Sequence, residues 1–239
     1  MLHSKGIIFR SNKFKESSLI VDIYTEEKGL HSFFMNGVFS NKSSRLSSIL
    51  QIGNLIEFVA YFSEKKDLHR IKEVNPDFIF SSIPNSIFKS AISTFMIELC
   101  RHCLKDQYLN KELFQFIKRC LILLDNQEEL DANFHLKFMI KFCNYLGFKA
   151  QNNYSIIDNS FDLLNASFVP YLELQSYLVI PHSSAILSKL MQDEYNSEKT
   201  LNIHYEDRHN LLQVLLQYFK IHVDHFGELK SPGIYKNIL

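Results

Sequence analysis

The hydrophobic period of this 239-residue chain changes once, near residue 80, and that change constrains the fold more than any other feature. Upstream, short runs rich in β-branched and aromatic residues alternate with turn residues: Gly6-Ile7-Ile8-Phe9, Leu19 to Tyr24, Leu30 to Asn36, Leu55 to Phe62 and Leu68 to Val74. In the fourth run Ile56, Phe58, Ala60 and Phe62 alternate with Leu55, Glu57, Val59 and Tyr61, as in a strand with two unlike faces. Five short strands in about 75 residues suit a small closed barrel, and the OB-fold is the commonest such barrel with a binding role.

From Pro84 the period is helical. Ile87, Ala91, Phe95, Leu99 and Cys103 fall four apart, and Pro84 stands near the helix start, where its missing N–H costs nothing. Further helices are predicted over Lys111 to Asp125, Asp131 to Leu146, Pro181 to about Tyr195 and Glu206 to about Asp224, with Gly147 as a left-handed stop for the second of these. Residues 149–180 sustain no period and read as an irregular insertion. The expected class is α+β, with an OB-fold barrel over residues 1–80 and a mostly helical domain over 81–239.

With 46% apolar residues the chain can bury a real core. Its 26 positive and 26 negative side chains cancel, so there is no global field to draw it onto DNA or an anionic membrane, and any basic surface must be local. Only Arg10, Arg45, Arg70, Arg101, Arg119 and Arg208 are arginine. Lysine, the other cation, is a flexible point charge suited to phosphate contact without base reading. Lys5, Arg10, Lys13 and Lys15 interrupt the N-terminus and no long apolar run follows, so a cytoplasmic protein without a membrane span is expected.

Little in the chain suggests catalysis. Cys100, Cys103, Cys120 and Cys143 all fall in predicted helices, which points to buried, reduced thiols. Cys100-Arg101-His102-Cys103 has neither a second Cys-x-x-Cys nor a strand–turn context, so helix packing explains it better than metal or redox chemistry. His222 and His225 lie among Phe219 and Phe226, where packing or capping explains them better than metal binding. Glu26-Glu27, Glu128-Glu129 and Asp193-Glu194 fall at predicted turns and helix ends, as solvated carboxylates do. No Gly-rich phosphate loop, nucleophile elbow or Walker lysine is present, and no enzyme and no cofactor are expected.

Binding chemistry is what remains. Phe39-Ser40-Asn41-Lys42-Ser43-Ser44-Arg45 reads as a polar loop with two cations and an aromatic, and Ser63-Glu64-Lys65-Lys66-Asp67 as a hairpin followed by Arg70 and Lys72. OB-folds hold single strands by joining a basic groove to aromatic stacking platforms. The candidate nucleic-acid-binding residues are Lys13, Lys15, Lys42, Arg45, Lys65, Lys66 and Arg70; the competing reading, equally open from the residues alone, is that these cations only keep the turns soluble. Of Phe33-Phe34 and Tyr61-Phe62 one member each must face inward. The outward member is expected to pack against the helices, with base stacking as the alternative.

Ser4-Lys5-Gly6-Ile7-Ile8-Phe9-Arg10, then Phe14-Lys15-Glu16-Ser17-Ser18-Leu19-Ile20-Val21, Thr25, Gly29-Leu30 and Gly37 follow one another in an order and spacing that resembles the opening of the bacterial RecO family of recombination mediators. Tyr218-Phe219-Lys220-Ile221-His222 and Phe226-Gly227-Glu228-Leu229-Lys230-Ser231 resemble its closing helix and turn. The resemblance implies an N-terminal OB-fold and a non-enzymatic role in DNA repair. It also implies binding of single- and double-stranded DNA, ATP-independent annealing, and partnership with RecR and, indirectly, RecA. A further implied partner is the acidic, Phe-ending C-terminal tail of single-stranded DNA-binding protein. Such a tail needs an apolar pocket rimmed by positive charge, and Arg119, Lys137 and Lys141 are the rim candidates.

Many members of that family carry two Cys-x-x-Cys pairs for a structural zinc in the irregular segment. Here residues 149–180 hold no cysteine and offer only Asp158, Asp162 and Glu173, so no zinc is expected. Tyr154, Ile156, Ile157, Phe161, Leu163, Leu164 and Phe168 are expected to form an apolar cluster in its place. Two readings of other classes remain: an OB-fold module for structured RNA, and a protein scaffold that binds no nucleic acid.

Overall fold

The computed structural model describes residues 1–39, 44–104, 109–173, 175–195 and 201–233. By packing, the chain divides into two compact units, Met1–Asn126 and Gln127–Leu239.

The first unit is built on strands β1 (Leu2–Phe14), β2 (Ser18–Thr25), β3 (Gly29–Met35), β4 (Leu55–Tyr61) and β5 (Leu68–Phe78), with the short helix α1 (Ser44–Ile49) between β3 and β4. They close into a barrel in the order β1-β2-β3-β5-β4, with β1 pairing back onto β4. Only β3 and β5 run parallel. This is the five-stranded OB-like barrel expected from the sequence. β1 is longer than its apolar run because a bulge between Ile8 and Arg10 lets its first half pair with β4 and its second with β2. Ile8, Val21, Ile23, Phe33, Ile56, Phe58 and Ile71 fill the interior. Gly6 is set by crowding, since a Cβ there would lie 2.4 Å from Cγ2 of Ile23.

Helices α2 (Ile87–Cys103) and α3 (Lys111–Asn126) belong to the same unit. Tyr24 points out of the barrel, stacks on Phe9 with ring centroids 5.4 Å apart and meets Phe114 of α3, while its hydroxyl donates to the Asn110 carbonyl at 3.2 Å. Lys118 of α3 pairs with Asp77 of β5, whose carboxylate also meets Lys5 at 2.9 Å. Burial alone would raise the Asp77 pKa, but these two ammonium groups outweigh it and hold the carboxyl below its ordinary value. The packing boundary therefore falls after α3, whereas the change of period marks only where strands give way to helices. On α2, burial pushes the Cys100 and Cys103 thiols up, which leaves them protonated and poor nucleophiles.

The second unit gathers α4 (Phe134–Leu146), α5 (Pro181–Gln192) and α6 (Tyr205–His222) around stacked aromatics: Phe138 on Phe142, and Phe142 on Phe219. Gly147 ends α4 in the left-handed region at φ 89°. The segment after it is more regular than its sequence suggested, since β6 (Ser160–Asp162) and β7 (Ser167–Val169) form a hairpin.

The apolar cluster expected in this segment is only partly formed. Phe161, Leu163 and Phe168 are buried, but Ile156 is 96% and Ile157 73% exposed, and Tyr154 and Leu164 are also open to solvent. The Ser155–Asp158 turn explains the difference, because Ser155 Oγ accepts the Asp158 N–H at 2.8 Å and carries the two isoleucines outward. Amide and hydroxyl clasps hold the segment alongside these three buried side chains. Asn152 exchanges hydrogen bonds with Ser188 of α5, donating to its carbonyl at 2.9 Å and accepting its hydroxyl at 2.8 Å. Asn153 does the same with the Phe168 backbone at 2.8 Å both ways. Asp162 accepts the Leu164 and Asn165 N–H groups. Among the described residues, no three His, Cys, Asp or Glu side chains gather closely enough to hold a metal ion.

Candidate nucleic-acid interface

Strand register fixes what the barrel shows to solvent. Ile20 of β2 pairs with Asn12 of β1 and with Phe34 of β3; Phe34 pairs with Arg70 of β5, and Arg70 with Tyr61 of β4. Their chain neighbours Val21, Phe33, Ile71 and Ala60 fill the core, so this row faces outward. Two residues along, Arg10, Asp22, Ser32 and Leu68 form a second outward row. Its one carboxylate is neutralised: Asp22 meets Arg10 Nε at 2.6 Å and accepts the Ser32 hydroxyl at 2.7 Å.

The outward aromatics are therefore Phe34, half-buried, and Tyr61, 52% exposed. Within the first unit Tyr61 stands in solvent and is not packed under α2 or α3, the packing expected for it. Both rings are legible in the sequence but their proximity is not, because the β3–β5 parallel pairing that puts Arg70 between them is a long-range feature.

Loops flank this face. At the β1–β2 turn the Lys13 ammonium lies 5.3 Å from the centroid of Phe39, and Lys15, held at φ 56°, lies 5.3 Å from that of Phe14. Both rings are exposed. At the β4–β5 turn Lys65 and Lys66 stand in solvent on a loop whose base is fixed from below. Lys28 pairs with Glu64 at 3.2 Å and lies 5.5 Å from the Phe62 ring centroid, and Phe62 stacks on buried His69 at 4.2 Å. Burial, and then His31, lower the His69 pKa, so the ring stays neutral and serves as an aromatic partner.

Among the described residues, Lys13, Lys15, Lys65, Lys66 and Arg70 make no ion pair. Lys72 is paired with Glu73 at 2.9 Å. Lys42 lies outside the described residues. Arg45 is not with the others: residues 44–49 form α1 rather than a loop, and Arg45 lines a hollow with Leu55, Pro76 and Phe78 at the far ends of β4 and β5. Elsewhere on the barrel a cleft of about 500 Å³ brings Glu26, Glu27, Glu57 and Glu73 around Lys5, a surface that repels phosphate.

The expected rim cations fare differently. Arg119 is exposed on α3, in the first unit, and its Nε donates to the Gln115 carbonyl at 3.3 Å. Lys137 is not a surface residue: its side chain is 1% exposed and sits between Asp131 at 2.8 Å and Asp193 at 2.6 Å. Burial alone would lower its pKa, but the two carboxylates outweigh it and keep the ammonium charged. That charge is spent inside the fold and is not free to rim a pocket. Lys141 pairs with Glu194 and lies 4.7 Å from the Tyr195 ring centroid. Among the described residues, no helix is long and apolar enough to cross a membrane.

Known proteins are similar in sequence to this chain over nearly its whole length. Residues 1–79 match the family described as Recombination protein O N terminal, and residues 84–232 match Recombination protein O C terminal. The DNA repair protein RecO of Flavobacterium psychrophilum is 31% identical over 99% of this chain and 98% of its own length. That of Phocaeicola vulgatus is 29% identical over 98% and 97%, and that of Flavobacterium johnsoniae 32% identical over 99% and 98%. With both halves matched in order and the relatives covered almost end to end, the chain belongs to the RecO family of DNA repair proteins.

Proposed function

We propose that this protein is a non-enzymatic recombination mediator that works in the cytoplasm on single-stranded DNA coated by single-stranded DNA-binding protein. In this reading it binds the exposed strand without regard to sequence, anneals complementary strands without ATP, and acts with RecR to let RecA load. The observation that carries it is the outward row Phe34–Arg70–Tyr61, flanked by Lys13, Lys15, Lys65 and Lys66. Rings with a π-face stack any base, and unpaired point charges neutralise any phosphate. Cations of this kind on two loops also screen the repulsion between two strands, which is what annealing requires.

A chain with no net charge binds DNA modestly and relies on partner contacts for targeting, where two linked weak sites reinforce each other. For the tail of single-stranded DNA-binding protein, Arg119 and Lys141 remain as separate candidates; Lys137 does not. The test is the salt dependence of binding to a single-stranded oligonucleotide. Five neutralised phosphates give a log–log slope of about −3.5, at roughly 0.7 for each phosphate. An affinity that ignores salt would overturn the assignment, and a preference for RNA of equal length would favour the RNA-module reading.

A further inference from the structure

The outward row continues beyond Phe34 onto β1. Its member on that strand is Asn12, and Phe14 lies two residues further along, paired with Ser18 and therefore on the same outward face. Phe14 is 42% exposed, and Phe39, from the chain that follows β3, is 44% exposed. Single exposed aromatics are ordinary. Two at one turn, each with an ammonium 5.3 Å from its ring centroid, Lys15 at Phe14 and Lys13 at Phe39, are a built feature.

The turn is fixed without any ligand. The Ser17 carbonyl accepts the Val38 N–H at 2.7 Å and the Phe39 N–H at 3.4 Å, and the Ser18 hydroxyl donates to Oδ1 of Asn36 at 3.0 Å. The chain after β3 is thereby laced to the β1–β2 turn, which brings the ring of one segment to the lysine of the other. Lys15 is held at φ 56°, a left-handed conformation that a residue with a Cβ adopts only where its surroundings impose it. Such conformations concentrate at binding sites, and rings that are already ordered lose less entropy when a base stacks on them.

We propose that Phe14 and Phe39 form a second base-stacking station, so that one single strand runs from Tyr61 across Arg70 and Phe34 to Asn12 and on round the β1–β2 turn. This rests on the nucleic-acid reading of the row and adds to it the length and direction of the path. Continuity and charge select the occupant. Neighbouring strands lie about 4.8 Å apart and rise about 3.4 Å per residue, which puts Phe34 about 10 Å from Tyr61 and Phe14 about 12 Å from Phe34. At about 3.4 Å per nucleotide in a stacked strand the whole path takes roughly six or seven steps, within the roughly 4–16 nucleotides that one OB-fold holds. A ring that carries a cation on one face keeps the other for a base, and the same ammonium is ready for the phosphate beside that base. A peptide offers no succession of flat π-faces to match rings at this spacing.

The chain has no tryptophan, so Phe39→Trp gives the full-length protein a single indole whose fluorescence reports stacking. A strand of twelve thymidines is expected to quench that fluorescence by half or more, with the midpoint of its binding measured by fluorescein anisotropy, whereas an abasic strand of equal length binds without quenching. Phe14→Ala and Phe39→Ala are each expected to weaken binding about fivefold or more, with melting temperature and salt slope unchanged, and Phe39→Tyr to bind as the wild type does. An indole unmoved by a strand that binds, while Tyr61→Ala still weakens binding, would overturn the proposal and leave the row intact. Wild-type affinity in Phe34→Ala and Tyr61→Ala as well would bring down the nucleic-acid reading of the row itself. Two strands bound per protein, with quenching that follows only the second, would make the turn a separate site and overturn the single path.

Discussion

The Asp125 carboxylate accepts the Ile83 backbone N–H at 2.7 Å, so the last turn of α3 holds the chain at the point where barrel gives way to helix. The same side chain takes the Ser82 N–H at 2.8 Å and the Ser81 N–H at 2.9 Å, and the Lys89 ammonium donates to the Asp125 carbonyl at 3.0 Å. Burial alone would raise the Asp125 pKa, but the Ile83, Ser81 and Ser82 N–H groups outweigh it and hold the carboxyl below its ordinary value.

Asp125→Asn is expected to destabilise the protein at pH 7 by about 2–3 kcal/mol, because an amide cannot accept all of these donors. A depressed folded-state pKa gives stability that is present above the unfolded carboxyl value, near 3.9, and lost as pH falls through the folded one. Urea denaturation should therefore show wild type and Asp125→Asn converging between about pH 4 and pH 2. A gap that is independent of pH would contradict the assignment.

His135 contributes a second acid-sensitive step. It is buried on α4, and burial, followed by repulsion from Arg208, lowers its pKa to about 3. The unfolded chain binds this proton near pH 6.5 and the folded one does not, so the neutral ring's stability is full above that pH and falls below it. The slope is at most about 1.4 kcal/mol per pH unit. Melting curves of His135→Gln and wild type between pH 7 and pH 4 should converge as pH falls; parallel curves would refute this.

In the second unit, Lys137→Ala leaves Asp131 and Asp193 buried without their cation and is expected to cost about 3–5 kcal/mol. Lys141→Ala loses a contact whose carboxylate partner lies in solvent and should cost about 1 kcal/mol or less. Equal losses in chemical denaturation would mean that the buried pairing of Lys137 is not what stabilises α4.

Much of this was legible in the sequence, and the exceptions share a cause. The strands, the helices after Pro84 and the stop at Gly147 were set by local periodicity and by one conformationally free residue. Lys137 was read as a surface cation because its two carboxylates are six and fifty-six residues away, and only tertiary packing brings them together. The β6–β7 hairpin is hidden for a similar reason: its strands are three residues each, too short for a hydrophobic period, and the Asn152, Asn153 and Ser188 clasps act beside the buried Phe161 and Phe168 rings. At the DNA face the loop cations could be read from composition, whereas the Phe34–Arg70–Tyr61 row needed the barrel to close.

That row and the loops beside it should separate by salt. Phe34→Ala and Tyr61→Ala are each expected to weaken single-stranded DNA binding by about 1–3 kcal/mol with the salt slope unchanged. Lys65→Ala and Lys66→Ala should each flatten the slope by about 0.7. Fluorescence titrations at several salt concentrations read both quantities, and flattening by the aromatic variants would mean that those rings act through a displaced cation.

The most direct measurement of mediator activity is the annealing of two complementary oligonucleotides coated with single-stranded DNA-binding protein, without ATP, with and without this protein. Acceleration by the wild type, reduced in a Lys65→Ala, Lys66→Ala double variant, is the expected result. Ordinary binding to bare DNA without any acceleration on coated strands would contradict the mediator function and leave a general nucleic-acid-binding module.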